Sequence, residues 1–432
     1  MFTHQINYEY HVITRLIVLF LLLLTACQVA TVRQPETPLP ETPGVMAKNV
    51  VLGIDNFLQN HLHLVNGKRV GLLTNPSGVN GKLQATSDLL FDHSEVDLRA
   101  YYGPEHGIRG DYFAGHKVSD ATDTKTGLPV FSLYGQRRKP SPETLEPVDV
   151  IVVDIQDIGL RGYTYIYTMA MVMEAAAENG KQVIVLDRPD PVGGLKVEGN
   201  LVEPDFYSFV GLYPIPYRPG MTIGELAKLF NSEFDINCDL TVVPMLGWKR
   251  AMYWDDTGFS WVPTSPHVPH AETILPMIAT GTFGELGTLS EGVGYTTPFE
   301  IAGAPWVRGE EFADSLNGLD LPGIFFRPVS FKPYYFRHQG VDCQGVQLHI
   351  TDRDSFSPYV TGLYIMKTHM VLYPDRDLFA NHDRIGMFNK VMGTDRIMKM
   401  LRQGIPVKEI EQSWQDELNS FLQIRQKYLL YD

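Results

Sequence analysis

Apolar runs of strand length alternate with helical patterns from about residue 50 to residue 265. The runs lie at 69–75, 98–103, 148–154, 182–187 and 240–246. Several of them, such as VDVIVVD at 148–154, are apolar at nearly every position, as is typical of strands covered on both faces. Residues 165–180 predict a helix that ends at Gly180, and Thr222 with Glu225 forms a capping box at the start of another helix. This alternation predicts an α/β fold with a Rossmann-like, doubly wound and mainly parallel sheet.

The pattern changes after about residue 265 to Gly- and Pro-rich connections around short motifs, and residues 414–431 form an amphipathic helical pattern. We therefore predict a Rossmann-like catalytic domain at 49–265 and a second, smaller α/β domain at 266–432.

The N-terminal segment predicts export. Arg15 precedes the apolar run LIVLFLLLL at 16–24, which is too short for a membrane span and fits a signal peptide. LTAC follows at 24–27 and resembles a bacterial lipobox, in which Cys27 is acylated. We predict a signal peptide at 1–27, a Pro-rich tether at 28–48 and a lipoprotein in the outer membrane that faces the periplasm. A cleaved leader without lipid is the alternative.

Charge and motifs exclude several classes of partner. The formal net charge is −14, which argues against nucleic acid because phosphate binding needs clustered Lys and Arg. No G-x-G-x-x-G follows a strand and no P-loop is present, so the sheet predicts no nucleotide cofactor. Outside the N-terminal segment the cysteines are Cys238 and Cys343, which are either paired or two buried thiols.

Polar motifs follow four of the predicted strands. They are LLTNPSG, YYGPEHGIRG, VVDIQDIGLRGYTY and VLDRPDPVGG. Turn chemistry explains any one of them. Ligands of open α/β sheets bind beyond the carboxyl ends of the strands, however, and four such ends together predict a single crevice.

These motifs resemble the NamZ-type exo-β-N-acetylmuramidases, a bacterial family long catalogued as a domain of unknown function. The resemblance extends from GIDNFL near residue 53 to RQKYLLY at the end, and includes GPEHGIRG, DIQDIGLRGYTY, LDRPDPVGG, PIPYRPGMTIGELA, SEGVGYTTPFEIAGAPW and CQGVQLHITDRD. It implies removal of terminal N-acetylmuramic acid from peptidoglycan fragments. Val293 and His267 depart from an arginine and an asparagine of the family pattern, which leaves the exact amino sugar open.

Glycoside hydrolysis needs a proton for the leaving oxygen and stabilisation of positive charge on the sugar. The resemblance implies Glu105 as the catalytic carboxylate and Tyr213 as a possible partner. Glu105 is our candidate general acid, and a loop glutamate paired with Arg109 is the alternative. Asp154, Asp157 and Asp187 are candidates for a base or charge stabiliser, and Tyr213 could stabilise charge or act as a nucleophile. Participation by the substrate's own acetamido group would make this second protein group unnecessary. Retention and inversion both stay open.

The predicted substrate-binding residues come from the same motif loops and from SEGVGYT. They are Asn75, His106, Arg109, Gln156, Asp157, Arg161, Tyr163, Asp187, Arg188, Arg218 and Glu291. The four arginines form a candidate clamp for the lactyl carboxylate of N-acetylmuramic acid, since guanidinium forks suit carboxylates. Ion pairs with Asp111, Asp157 and Asp190 are the alternative for the arginines, and core packing is the alternative for Tyr163, Tyr165 and Tyr167.

Two other functions fit the same residues. A metallohydrolase would use Glu105, His106, Asp111 and His116, with His267 and His270, although no common ligand spacing supports it. A lipoprotein that binds cell-wall fragments without cleaving them would use the same crevice.

Overall fold

A computed structural model describes residues 50–110, 120–135 and 137–432. The predicted signal peptide and tether, with Cys27, lie outside these residues. In the described part of the chain, seven strands form the first sheet: Arg69–Thr74 (β1), Asp97–Gly103 (β2), Ala121–Thr122 (β3), Pro129–Ser132 (β4), Val150–Asp154 (β5), Gln182–Leu186 (β6) and Asp239–Val243 (β7).

The sheet has the strand order β3-β4-β2-β1-β5-β6-β7. All neighbouring strands are parallel except β3 and β4, which pair antiparallel at one edge. The chain moves outward from β1 in one direction and returns through β5 in the other. The topological switch point therefore lies between β1 and β5, where Leu72 pairs with both Tyr101 and Val152.

Helices cover both faces of this sheet, as the apolar strands require. They are Gly53–Asn56 (α1), Thr86–Asp92 (α2), Pro142–Leu145 (α3), Tyr165–Glu178 (α4) and Ile223–Glu233 (α5). The Thr222 hydroxyl accepts from the Glu225 backbone N–H and the Glu225 carboxylate accepts from the Thr222 N–H, which confirms the predicted capping box. Gly180, just after α4, has φ +62°, a conformation that favours glycine.

The second part of the chain has a three-stranded antiparallel sheet in the order β8-β10-β9. Its strands are Ile301–Ala304 (β8), Ile324–Phe331 (β9) and Cys343–Ile350 (β10). Its helices are Ile274–Gly284 (α6), Gly309–Asn317 (α7), Pro358–Leu372 (α8), His382–Met392 (α9), Arg396–Arg402 (α10), Val407–Gln412 (α11) and Gln415–Arg425 (α12). The predicted α/β class, with a mainly parallel first sheet and a smaller second one, is confirmed.

Short 3₁₀ or π turns complete the described elements. They cover Phe57–His61, Leu62–Val65, Pro204–Phe206, Asp255–Thr257, Ala271–Thr273 and Gln426–Tyr428. No helix among the described residues has the length and apolarity needed to cross a bilayer.

The two parts share packing at their boundary. Ile158 and Leu160, from the loop after β5, are buried in the core of the second part. In return, Phe421 of α12 is buried in the core that covers one face of the first sheet. The carboxyl edge of the first sheet therefore meets the second part of the chain.

Cys238 and Cys343 are both free and buried. Cys238 lies just before β7, and Cys343 begins β10 in the other sheet. Of the two alternatives for these cysteines, the structure shows the unpaired thiols.

Candidate active site

Glu105 lies in the turn that follows β2. Pro104 begins this turn, and the Gly107 N–H donates to the Pro104 carbonyl across 3.0 Å. The Glu105 side chain is half-buried. Its Oε2 accepts from the hydroxyl of Thr164, 3.3 Å away, at the start of α4. The predicted acid therefore lies at the carboxyl edge of the sheet, against the helix that follows the neighbouring motif.

Two tyrosines flank the Glu105 carboxyl. Tyr134 follows β4 and lies beside Glu105, and burial together with the negative field of that carboxylate raises the pKa of Tyr134 to about 12. Tyr165 opens α4, and its hydroxyl donates to the Thr264 carbonyl at 2.5 Å. Burial and the negative field of Glu105 both raise the pKa of Tyr165. Both phenols are therefore held neutral beside the acid.

Residues beyond 263 reach over this turn. The Tyr163 hydroxyl donates to Thr264 Oγ1 at 2.8 Å. His267 lies close enough to His106 that burial and the second imidazole together lower the pKa of His267. Nε2 of His267 is 3.0 Å from the hydroxyl of Tyr335. His106 has φ +73° and is buried, so the turn presents it to these residues in a conformation that few non-glycine residues adopt.

The predicted ligands Asn75 and Gln156 lie buried at the switch point. Asn75 Oδ1 accepts from the N–H and hydroxyl of Ser77, whereas its Nδ2 has no partner. Gln156 Nε2 donates to the carbonyls of Asp157 and Pro189, whereas its Oε1 has no partner. Gln156 also lines a cavity of about 210 Å³. Unpaired buried amide atoms are costly unless a ligand or water completes them, so both residues suit the predicted binding role.

Asp154, at the end of β5, forms a buried ion pair. Arg188 Nε and Nη2 donate to its two carboxylate oxygens at 2.6 and 2.8 Å, and the Thr86 hydroxyl also donates to it. Arg188 Nη2 donates further to the Val79 carbonyl. The exposed fractions are 0% for Asp154 and 2% for Arg188. Asp154 was predicted as a catalytic carboxylate and Arg188 as an arginine of the carboxylate clamp. Their contacts with each other favour a structural role for both.

The other three predicted clamp arginines also have protein acceptors. Arg109 pairs with Asp123 at 2.7 Å and with Asp88 at 3.3 Å. Arg218 pairs with Glu198 at 2.7 Å. Arg109 and Arg218 therefore form ion pairs, which was the alternative interpretation. Among the described residues their partners are Asp88, Asp123 and Glu198, which are not the aspartates named above.

Arg161 is fully buried and carries its hydrogen bonds to main-chain carbonyls. It donates to Asn200 and Ile215 in the first part of the chain, and to Val391 and Met392 in the second, at 2.6–3.0 Å. It thus ties together loops of both parts.

Asp157 and Asp190 are two buried carboxyls near each other. Asp157 Oδ2 accepts from the Gly159 N–H at 2.8 Å, and Asp190 Oδ1 accepts from the Val192 N–H at 3.1 Å. The second oxygen of each has no partner. Burial raises the pKa of both carboxyls to about 7, and the field of Asp157 adds to the effect at Asp190. Burial therefore favours the neutral form of both carboxyls.

Three further predicted residues have protein partners of their own. The Tyr213 hydroxyl donates at 2.9 Å to Glu174, about two and a half turns along α4 from its start, and the ring stacks on Phe234. Asp187 caps α5 through the Gly224 N–H at 2.8 Å and accepts from the hydroxyls of Thr222 and Tyr431.

Glu291 is buried and paired with Arg337, and burial raises its pKa to about 7. The structure thus gives Tyr213, Asp187 and Glu291 protein partners. Tyr165 and Tyr167 are buried, which agrees with the alternative interpretation of these tyrosines as core residues.

Sequence reasoning missed Tyr134, Thr164, Thr264 and Tyr335. Tyr134 follows a strand of four residues, too short for a periodicity signal. Thr264 lies in TSPH and Tyr335 in an aromatic run, and contact between His267 and Tyr335 spans 68 positions of the chain. Of these four residues, only Thr164 lies in one of the polar motifs that follow a predicted strand, DIQDIGLRGYTY, so only Thr164 could have been found from the sequence.

The metallohydrolase alternative needs a ligand cluster. Within the ranges that the structure describes, no group of three His, Cys, Asp or Glu side chains is arranged to hold a metal ion. Asp111 and His116 lie outside those ranges.

Comparison with known proteins identifies relatives of this arrangement. Profiles of the family described as exo-beta-N-acetylmuramidase NamZ match residues 70–272 with its N-terminal part and residues 277–431 with its C-terminal part. The peptidoglycan beta-N-acetylmuramidase NamZ of Bacillus subtilis is 48% identical over 91% of this chain and 94% of its own.

Two crystal structures from Bacteroides fragilis, both of proteins labelled DUF1343, have the same fold. One is 47% identical, with a TM-score of 0.85, and the other 26% identical, with a TM-score of 0.70. Each alignment covers 89% of this chain and 99% of the chain in the crystal structure. The chain therefore belongs to the NamZ exo-β-N-acetylmuramidase family.

Proposed function

We propose that this protein is an exo-acting glycosidase that hydrolyses the terminal β-N-acetylmuramic acid linkage of peptidoglycan fragments. The observation that carries the proposal is Glu105, a half-buried carboxyl at the carboxyl edge of the sheet that accepts a hydrogen bond from Thr164 and lies beside Tyr134. The similarity to the Bacillus subtilis enzyme over almost the whole chain supports the substrate class.

Glu105 acts as the general acid. Its proton goes to the glycosidic oxygen as the bond between that oxygen and the anomeric carbon breaks, and water supplies the hydroxyl of the released sugar. Thr164 fixes the direction of the carboxyl, because its hydroxyl donates to one of the carboxyl oxygens. Asn75 and Gln156 offer the unpartnered amide atoms that the hydroxyl and acetamido groups of a sugar would complete.

Turnover of a chromogenic aryl β-N-acetylmuramide tests the proposal. We expect Glu105→Gln to lower kcat by at least about 100-fold, the typical contribution of a positioned acid, with an unchanged unfolding temperature. Glu178→Gln is the matched control, because the Glu178 side chain is 63% exposed and pairs with Lys139 on the surface. Loss of activity on addition of a chelator would favour the metallohydrolase, and tight binding of the sugar without turnover by the wild type would favour the binding module.

We also propose that the protein is an exported lipoprotein, anchored through acylated Cys27 in the outer membrane and facing the periplasm. LTAC after a short apolar run supports this proposal, and Gln28 supplies no aspartate of the kind that retains lipoproteins in the inner membrane. Radiolabelled fatty acid should be incorporated by the wild type and by Cys238→Ala, but not by Cys27→Ala. Labelling of Cys27→Ala, or none of the wild type, would contradict the anchor.

A further inference from the structure

Three consecutive aromatic side chains lie exposed close to the proposed acid. The exposed fractions are 71% for Tyr334, 49% for Tyr335 and 55% for Phe336. Soluble proteins rarely leave large apolar surface contiguous and exposed without a use for it. We call residues 334–336 the aromatic loop.

The aromatic loop is held in place by contacts on several sides. The Tyr334 N–H donates to the Gly294 carbonyl at 2.7 Å, and a Cβ at position 294 would lie 1.9 Å from the Tyr335 carbonyl oxygen. Only glycine therefore allows this approach. Phe336 has φ +69°, a strained conformation for an aromatic residue. The neighbouring Arg337 pairs with buried Glu291. Such a built conformation presents the rings in a fixed position.

One end of the aromatic loop connects to the catalytic turn. The Tyr335 hydroxyl is 3.0 Å from Nε2 of His267. His267 in turn lies within electrostatic range of His106, the residue after Glu105. The aromatic loop thus extends from the side of the catalytic turn on which His106 and His267 lie.

The other end opens into a groove of about 770 Å³ on the second sheet. Tyr334, Tyr295 and Trp306 line it, and the rings of Tyr334 and Tyr295 stack at 14° with centroids 6.3 Å apart. Three charged residues also line the groove: Lys332 and Asp342 pair with each other at 2.9 Å, and Arg308 pairs with Glu311 at 2.5 Å. The groove is thus aromatic and electrostatically balanced, which suits a neutral ring with apolar C–H faces better than an ion.

We infer that the aromatic loop and this groove bind the glycan on the leaving-group side of the scissile bond, through stacking on its neutral N-acetylglucosamine rings. The inference rests on the proposed function. An exo-acting enzyme holds a single terminal residue on one side of its acid, so every further sugar of the substrate lies on the other side. A surface that runs outward from the acid for several residues therefore serves the leaving part.

Two substrates that share the cleaved sugar test the inference. One is the aryl β-N-acetylmuramide, and the other is an oligosaccharide in which N-acetylmuramic acid is β-1,4-linked to N-acetylglucosamine units. We expect Tyr334→Ala to raise KM for the oligosaccharide about five- to tenfold, as loss of one aromatic stacking partner would, and to leave both constants for the aryl substrate unchanged. Tyr207→Ala is the matched control, because Tyr207 is an exposed tyrosine in another loop.

Equal effects on both substrates, or no effect on either, would overturn the inference. Calorimetric binding of a β-1,4-linked N-acetylglucosamine trisaccharide separates it from the proposed function. Binding that weakens in Tyr334→Ala supports the groove even if the wild type cleaves no muramide. If both substrates are cleaved but Tyr334→Ala does not change trisaccharide binding, the proposed function is supported and the role of the groove is refuted.

Discussion

The buried pair of Asp154 and Arg188 allows a sharp test of structural against catalytic roles. Asp154→Asn keeps the shape of the side chain but removes its charge. It leaves the Arg188 guanidinium, whose fork now contacts both carboxylate oxygens at 2.6 and 2.8 Å, without a counter-ion. Removing one partner of a buried pair costs about 3–5 kcal/mol, because the remaining charge stays desolvated. We expect a loss of this size in the free energy of unfolding.

Asp149→Asn is the matched control for that experiment. Asp149 forms the same forked pair with Arg69 at 2.8 and 3.1 Å, but the side chains of Asp149 and Arg69 are 41% and 43% exposed. An exposed pair contributes at most about 1 kcal/mol. Urea unfolding at pH 7 and kcat on the aryl β-N-acetylmuramide, measured well below the unfolding temperature, give the two readouts. If Asp154→Asn unfolds like Asp149→Asn while kcat collapses, Asp154 is catalytic and the structural argument is wrong.

Further changes test the surroundings of the site. Burial raises the pKa of Asp157 to about 7, above its value in the unfolded chain. Between about pH 4 and 7 the native state therefore holds a proton that the unfolded chain releases. The free energy of unfolding should fall over this range by up to about 4 kcal/mol as the pH rises. Urea titrations should show Asp157→Asn with a flatter dependence, and equal slopes would contradict the assignment. Tyr134→Phe removes a hydroxyl from Glu105, so kcat should fall about tenfold and the pH–rate profile should shift, with thermal unfolding unchanged; an unmoved profile would place Tyr134 outside the chemistry. Arg161→Lys cannot reach four carbonyls at once and should lower stability by about 2 kcal/mol or more in thermal unfolding, whereas an unchanged unfolding temperature would show that the bridge is dispensable.

The main features of the fold follow from local signals. Val150–Asp154 is buried throughout, and its unbroken apolar run predicts a strand covered on both faces. The capping box at Thr222 marks a helix start within one residue. Glu105 could be placed at the sheet edge because the carboxyl ends of parallel strands share one edge. The pair β3 and β4 was missed, since strands of two and four residues carry no periodicity.

Partners of the polar residues could not be derived in the same way. Arg188 and Asp154 both follow strands in motif loops, where a clamp arginine and a structural ion pair have the same sequence signature. Their pairing depends on β5 and β6 being adjacent and on both side chains being excluded from water. Tyr213 immediately precedes the motif PIPYRPGMTIGELA, yet its hydroxyl donates to Glu174 far along α4. Local sequence thus predicts which edge carries the chemistry, but tertiary contacts decide which side chains remain free for a ligand.

Arg161 limits how the crevice can open. Its guanidinium grips carbonyls of residues 200 and 215 on one side and of residues 391 and 392 on the other. If the two parts rotated relative to each other, these hydrogen bonds would break while the Arg161 guanidinium stayed buried, and the free-energy cost would be large. Saccharide entry and product escape must therefore rely on surface loops that shift above a stiff frame, and turnover would respond to loop substitutions far more than to hinge mutations.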